Sequence, residues 1–238
     1  MNEIMNDHRQ TIAWRRIALI LFTLCLMQTT YWGEKIPLQD GAGWDGEQYR
    51  EFVMHLDTML INGEIDAYHI HRILPFAVSH LAMRLSGLPS TPANAMTVSI
   101  LLNQLTVILC MLVVFRIADR RQWRSETELM AFSSIFFSVS VLKMWGYYPF
   151  LTDPLTLLLS LLACLHYVER KHCWLFVDGL LAMLTWPMLS LVVLLLLMFP
   201  MPVASPEQHS QKPNPVFRWL MVAYYPLMFL LFVVYKQH

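Results

Sequence analysis

"MTVSILLNQLTVILCMLVVFRIADRRQWR" occupies residues 96 to 124. Its first part, 96 to 115, is apolar over about 20 residues, the length that crosses a bilayer. Arg116, Arg120, Arg121 and Arg124 follow at once. Lysine and arginine gather on the cytoplasmic flank of a membrane helix, so this segment reads as a span running from outside to inside. That direction orients the rest of the chain.

Upstream, Arg9, Arg15 and Arg16 precede an apolar stretch from Ile17 to Trp32. The basic flank puts that end in the cytoplasm. The stretch lacks a small-residue cleavage site and reads as an uncleaved anchor helix. The segment 33 to 68 is then external. It carries Glu34, Asp40, Asp45, Glu47, Glu51, Asp57, Glu64 and Asp66 against only Lys35 and Arg50. Within it Tyr49, Phe52, Val53, Leu56 and Leu60 recur at helical spacing, with Arg50, Glu51, Asp57 and Thr58 on the opposite face. That pattern predicts an amphipathic helix lying on a membrane. "HRILPFAVSHLAMRLSGL", 71 to 88, is apolar but holds Arg72, His80 and Arg84. It starts and ends on the external side and reads as an interfacial or re-entrant helix.

Downstream, spans are expected over about 127 to 145 and 154 to 168. The stretch 174 to 199, interrupted by "TWP" at 185 to 187, is one kinked span or two short ones. A last span runs from about Phe217 to Tyr235. The expected fold is all-α and polytopic, with about six or seven transmembrane helices. It forms a single membrane domain over 1–238: a cytoplasmic N-terminus over 1–16, an external loop with amphipathic helices over 33–95, and a helical bundle over 96–238. Composition agrees: 56% of residues are hydrophobic and 14% charged, against roughly 25% charged in soluble domains. Net charge is zero, so nothing points to nucleic acid. Cys25, Cys110, Cys164 and Cys173 lie in or beside apolar runs without metal or redox spacing, and read as buried thiols.

The polar residues that this topology gathers on the external side are Asp45, Arg72, Lys143, Tyr147, Tyr148 and Asp153. Each has a plain alternative. Asp45 precedes a helix with Gln48 three residues on, the pattern of a capping box. Asp153 precedes Pro154, which favours the first helical turn, so it too reads as a cap. Arg72 pairs equally well with loop acids or lipid phosphate. Lys143 snorkels naturally from a span end. Trp44, Tyr147 and Tyr148 suit interfacial anchoring as well as sugar stacking. His69 and His71 point to different sides of a helix and make a poor metal pair.

Four stretches in order, "GWDGEQY" (43 to 49), "HRILPFAVSHLAMRLSGL" (71 to 88), "YYPFLTDPLTLLL" (147 to 159) and "DGLLAMLTWP" (178 to 187), resemble the GT-C superfamily of polytopic glycosyltransferases. The resemblance covers about residues 10 to 200. It implies an inverting membrane glycosyltransferase that moves a sugar from a polyprenyl-phosphate donor to a cell-envelope glycan, lipid or protein. Asp45 would be its catalytic base, and Arg72 and Lys143 would bind the donor phosphate. Trp44, Tyr49, Tyr147, Tyr148 and Asp153 would contact substrate. No cofactor is implied; a divalent metal is compatible but no residue pattern indicates one. The implied location is a multi-pass integral protein of a bacterial inner membrane, with its site on the periplasmic face among membrane lipids. The chain carries Trp186 where many members have a charged residue, and is shorter than typical members. A non-catalytic, head-group-binding subunit of a larger glycosyltransferase is therefore the alternative expectation. A small transporter, with Asp178 as its main intramembrane charge, ranks below both.

Single cysteines placed at positions 66, 90 and 122, in a background without the native four, test the orientation. An impermeant reagent is expected to label 66 and 90 from outside and to spare 122; external labelling of 122 would reverse the topology.

Overall fold

The computed structural model describes residues 2–199 together with 219, 222 and 223. The expected span from 217 to 235 otherwise lies outside the described residues. Among the described residues all regular structure is helical.

Helix α1 (Asn2–Trp32) is followed by α2 (Gly46–Asn62), α3 (Ala67–Ile70), α4 (Leu74–Leu85) and α5 (Pro92–Arg121). Then come α6 (Ser125–Phe136), a π turn over Ser140–Met144, α7 (Trp145–Tyr147), α8 (Asp153–Val168), α9 (His172–Met183) and α10 (Pro187–Met198). Among the described residues, helix α5 alone is long and apolar enough to cross a membrane. The pair α6 and 140–147 meets that test only together, bent by 50°. Helices α8, α9 and α10 are apolar but shorter.

The sequence explains the main boundaries. Thr91, in extended conformation, accepts the Asn94 amide at 3.3 Å, and Pro92 opens α5. The helix runs past the expected 96–115 at both ends and stops where Gln122 turns left-handed. The expected 127–145 span is broken because Ser138 Oγ donates to the Ile135 carbonyl and the chain then widens into the π turn. Pro187 ends the run of α9, so 174–199 is two short helices rather than one kinked span.

Contacts between helix ends define two levels. At one, Arg15 of α1 joins Asp119 of α5 at 2.7 Å and Glu128 of α6 at 2.6 Å. Arg116 and Arg120 of α5 converge there on Glu169, just past α8. The Tyr167 hydroxyl donates to the Phe199 carbonyl at 2.9 Å, so α10 finishes at this same level. At the other level, the Asn103 amide donates to the Pro149 carbonyl at 2.8 Å, near the start of α8. The Leu74 amide donates to the Leu184 carbonyl at 2.9 Å, which puts the α9–α10 turn beside the start of α4. Thr30 also lies here, close enough to Gly146 that a Cβ on that glycine would meet it at 3.1 Å.

Helix α5 extends beyond this second level, and α2 and α4 pack on the surplus. They run parallel: Tyr49 stacks on Phe76 with centroids 4.1 Å apart. One turn or two further on, His80 bridges the Val53 carbonyl at 2.8 Å and Asp57 at 3.2 Å, and Arg84 also pairs with Asp57. The amphipathic reading of α2 holds for Tyr49, Phe52, Val53 and Leu56, which are buried. It fails for Leu60, which is 46% exposed. The helix is irregular at His55, with φ of −133° and ψ of 24°, but Leu56 directly after it remains buried. Arg50, expected on the wet face, is mostly covered, 4.0 Å from Glu47.

Glu128 is nearly inaccessible, with its side chain 1% exposed, and depends on Arg15 for compensation. Arg15→Met is expected to destabilise the protein by about 3 kcal/mol, since it strands a buried carboxylate. Thermal unfolding in detergent should show this, and adding Glu128→Gln should recover part of the loss.

Candidate functional site

The chain leaves α1 through a tight segment. Gln39 and Asp40 both have φ of 53°, Gly41 has 89° and Gly43 has 86°. Gly43 lies so close to Tyr148 that a Cβ would meet its ring at 2.7 Å. Only glycine fits there. This approach brings Trp44 onto Tyr148, stacked at 5.7 Å with the planes 22° apart. Tyr148 meets Tyr147 edge-on at 5.0 Å, and Lys143 stands 5.7 Å over the Tyr147 ring. Lys143 also pairs with Glu34 at 2.6 Å. Trp44, Tyr147, Tyr148 and Lys143 therefore form one aromatic ladder closed by an acid that sequence reasoning did not single out. Beside it lies a cleft of about 370 Å³ between residues 35–41, Met96 and Ile100 of α5, and 146–149.

Asp45 begins α2, but the capping-box reading is overturned. Its φ of −83° and ψ of −2° are helical, and its side chain accepts no amide hydrogen bond. A capping side chain needs an extended backbone to swing over the first turn. Here only the backbone carbonyl of Asp45 works in the helix, accepting from Tyr49 at 3.2 Å. The carboxylate is exposed. Asp153 is likewise no cap: it is the first residue of α8 and is exposed.

One turn into α2, Tyr49 is 4% exposed, and its hydroxyl meets hydrogen-bond geometry with no atom among the described residues. Burial pushes the phenol up to about 12. Arg72, whose charge and side chain both reach the hydroxyl, lowers it; the Tyr68 and Asp45 charges raise it. Asp45 and Arg72 thus both lie within electrostatic reach of one buried hydroxyl.

Arg72 is fixed by two rings. Its Cζ lies 4.4 Å from the centre of Tyr68 and 4.6 Å from that of Trp186. Among the described residues no carboxylate pairs with it. Tyr68 is presented by α3, which is capped by Asp66. That carboxylate accepts the amides of Tyr68 at 2.8 Å and His69 at 3.0 Å, and binds His69 Nδ1 at 2.6 Å. The residues that sequence reasoning missed are thus Tyr68, Asp66 and Trp186. The signal for Asp66 was there, an aspartate ahead of a short helix; Trp186 comes from the α9–α10 turn, which no local pattern ties to Arg72.

The arrangement offers a carboxylate open to solvent, an aromatic ladder beside a cleft, and a guanidinium next to a buried phenol. Together these can hold an anion and accept a proton. Among the described residues no three His, Cys, Asp or Glu side chains gather as a metal ion would require. Comparison with protein-family models, with curated proteins and with solved structures finds no match.

Burial pushes the Asp66 carboxyl up, but the His69 amide and ring and the Tyr68 amide outweigh it and hold it below its usual range. A depressed folded value means its stabilisation is present above the unfolded value of about 4 and is lost as pH falls through the folded one. Asp66→Ala is expected to cost about 1 kcal/mol at neutral pH. That difference from wild type should fade below the folded value, as followed by amide exchange over residues 67–70.

Proposed function

We propose that this chain is a multi-pass membrane protein and an inverting glycosyltransferase, moving a sugar from a polyprenyl-phosphate donor to a cell-envelope acceptor. Exposed apolar stripes support the membrane part. Ile17, Ile20, Leu21 and Leu24 stand out on α1; Leu101, Leu105, Leu109 and Leu112 do so on α5. Residues spaced this way on a helix present one face, and such faces suit lipid contact. The level that gathers Arg15, Arg116, Arg120 and Glu169 is then cytoplasmic, and the Arg72 level external. The layer of α2, α3 and α4 sits over it at the outer surface.

The observation that carries the reading is Arg72: a ring-held guanidinium with no carboxylate partner among the described residues, beside the buried Tyr49 phenol, which also feels the charge of the exposed Asp45. In the proposed reaction the acceptor oxygen forms a bond to the anomeric carbon as the bond from that carbon to the phosphate oxygen breaks. The phosphate leaves with the bonding pair, and the acceptor proton passes to Asp45. Phosphate is a good leaving group and needs no acid, so one carboxylate suffices. Glycoside hydrolases commonly need two. Arg72 stabilises the departing charge, which can be the larger contribution. Lys143 is a weaker choice because Glu34 already neutralises it. Trp44 and Tyr148 offer flat faces for a sugar ring.

Membranes containing the wild type or Asp45→Asn, supplied with labelled polyprenyl-phosphate hexoses and pentoses, test this. Transfer is expected to fall by roughly 10²–10⁴-fold in the variant. Equal transfer by both would remove Asp45 as the base. Absence of transfer by the wild type, together with co-purification of a larger glycosyltransferase, would favour the non-catalytic subunit instead.

A further inference from the structure

Arg72 approaches the α9–α10 turn at two points. The Leu74 amide is bonded to the Leu184 carbonyl, and the Trp186 ring covers the guanidinium. That turn is firmly held. Thr185 is fully buried and its hydroxyl donates to the Leu181 carbonyl at 2.9 Å. Trp186 is extended, with φ of −153° and ψ of 98°, and Pro187 fixes the backbone that follows. Tyr68, the other ring on Arg72, is 52% exposed and belongs to a four-residue helix. Of the two walls, Trp186 is the rigid one.

A guanidinium is weakly hydrated on its faces and donates hydrogen bonds only in its plane. Rings on the faces therefore leave the edges as the working part, and the edges match two phosphate oxygens at once. Behind them the Tyr49 hydroxyl is buried, close to the guanidinium though outside strict hydrogen-bond geometry. Rings and free edges together describe a seat for a phosphate monoester or diester.

We infer that Trp186 is a positioning residue: it packs over Arg72 so that the guanidinium edge grips the phosphate of a lipid-linked ligand. The inference rests on the phosphate-binding part of the proposed function and not on the assignment of Asp45. The α9–α10 turn thereby sets the angle of a cation that belongs to a distant part of the chain. Trp186 does not touch the ligand, and its effect passes through Arg72 alone.

Purified full-length protein in uncharged detergent, titrated with dodecyl phosphate and separately with inorganic phosphate, tests the inference. The wild type is expected to bind dodecyl phosphate more tightly than inorganic phosphate. Trp186→Leu should weaken dodecyl phosphate binding roughly tenfold, the scale of a desolvated cation–π contact. Trp186→Phe, which keeps a ring, should restore most of it. In an Arg72→Lys background, Trp186→Leu should add little, because the two residues act as one unit. Binding by Trp186→Leu equal to wild type would overturn the positioning role. So would an undiminished loss in the Arg72→Lys background, which would mark a merely structural effect. Equal affinity for inorganic phosphate would overturn the lipid-linked ligand. A wild type that binds neither would overturn the phosphate seat itself, whereas intact binding with unchanged transfer in Asp45→Asn leaves the seat and removes only the base.

Discussion

Helix α5 is longer than the helices it packs against, and that difference shapes the rest. Its 30 residues reach about 45 Å, while the 16 of α8 reach about 24 Å. Paired at the end where Arg120 meets Glu169, the two cannot finish together at the other. Asn103, part-way along α5, meets Pro149 before α8 begins. The remaining length of α5 extends past the bundle and offers an apolar side to α4, where Phe76 and Ser79 face Ser99 and Leu102 across a small void. Helix α2 then closes on α4 through the Tyr49–Phe76 stack. The candidate site lies at the step between the short helices and this outer layer, where chain segments from four separate regions end or turn.

Charge placement is why one level of the bundle was legible in the sequence, although α1 and α5 start before the expected spans. Arg15, Arg116 and Arg120 were read as belonging to one side, and the structure joins them through Asp119, Glu128 and Glu169. What the sequence did not disclose was that two of these acids, Glu128 and Glu169, are buried partners. Glu169 has a side chain 7% exposed, held by Arg116, Arg120 and Lys171. Burial pushes its carboxyl up, yet Lys171 and Arg120 bring it below the usual range. A buried carboxylate with one cation removed is costly, so each such cluster ties together the helices that meet at it. Arg15 ties α1 to α5 and α6; Arg120 ties α5 to the end of α8.

Other features were not legible because they depend on geometry that periodicity does not encode. Leu60 sits at helical spacing from Leu56, but α2 runs beyond the surface that buries Leu56. The Asp45 pattern fits a capping box, but the left-handed turns from Gln39 to Gly43 deliver the chain to α2 already in helical conformation. The stack of Trp186 on Arg72 joins residues far apart in sequence through a turn whose position follows from the lengths of α9 and α10.

The lost cap alters the chemical argument for Asp45. A carboxylate that holds the first amides of a helix spends an oxygen on them and becomes harder to protonate. Asp45 is free of that engagement, so both oxygens are open to an acceptor hydroxyl. Capping is instead done by Asp66, which orders α3 and with it the Tyr68 wall of Arg72. The two aspartates differ in engagement: Asp66 commits its oxygens to ordering α3, whereas Asp45, the proposed base, keeps its own open. That difference makes a carboxylate and a guanidinium near the Tyr49 hydroxyl compatible with transfer chemistry. The guanidinium is held by rings rather than by an acid, and the carboxylate is not held by the backbone, so each retains the valence that the reaction would use.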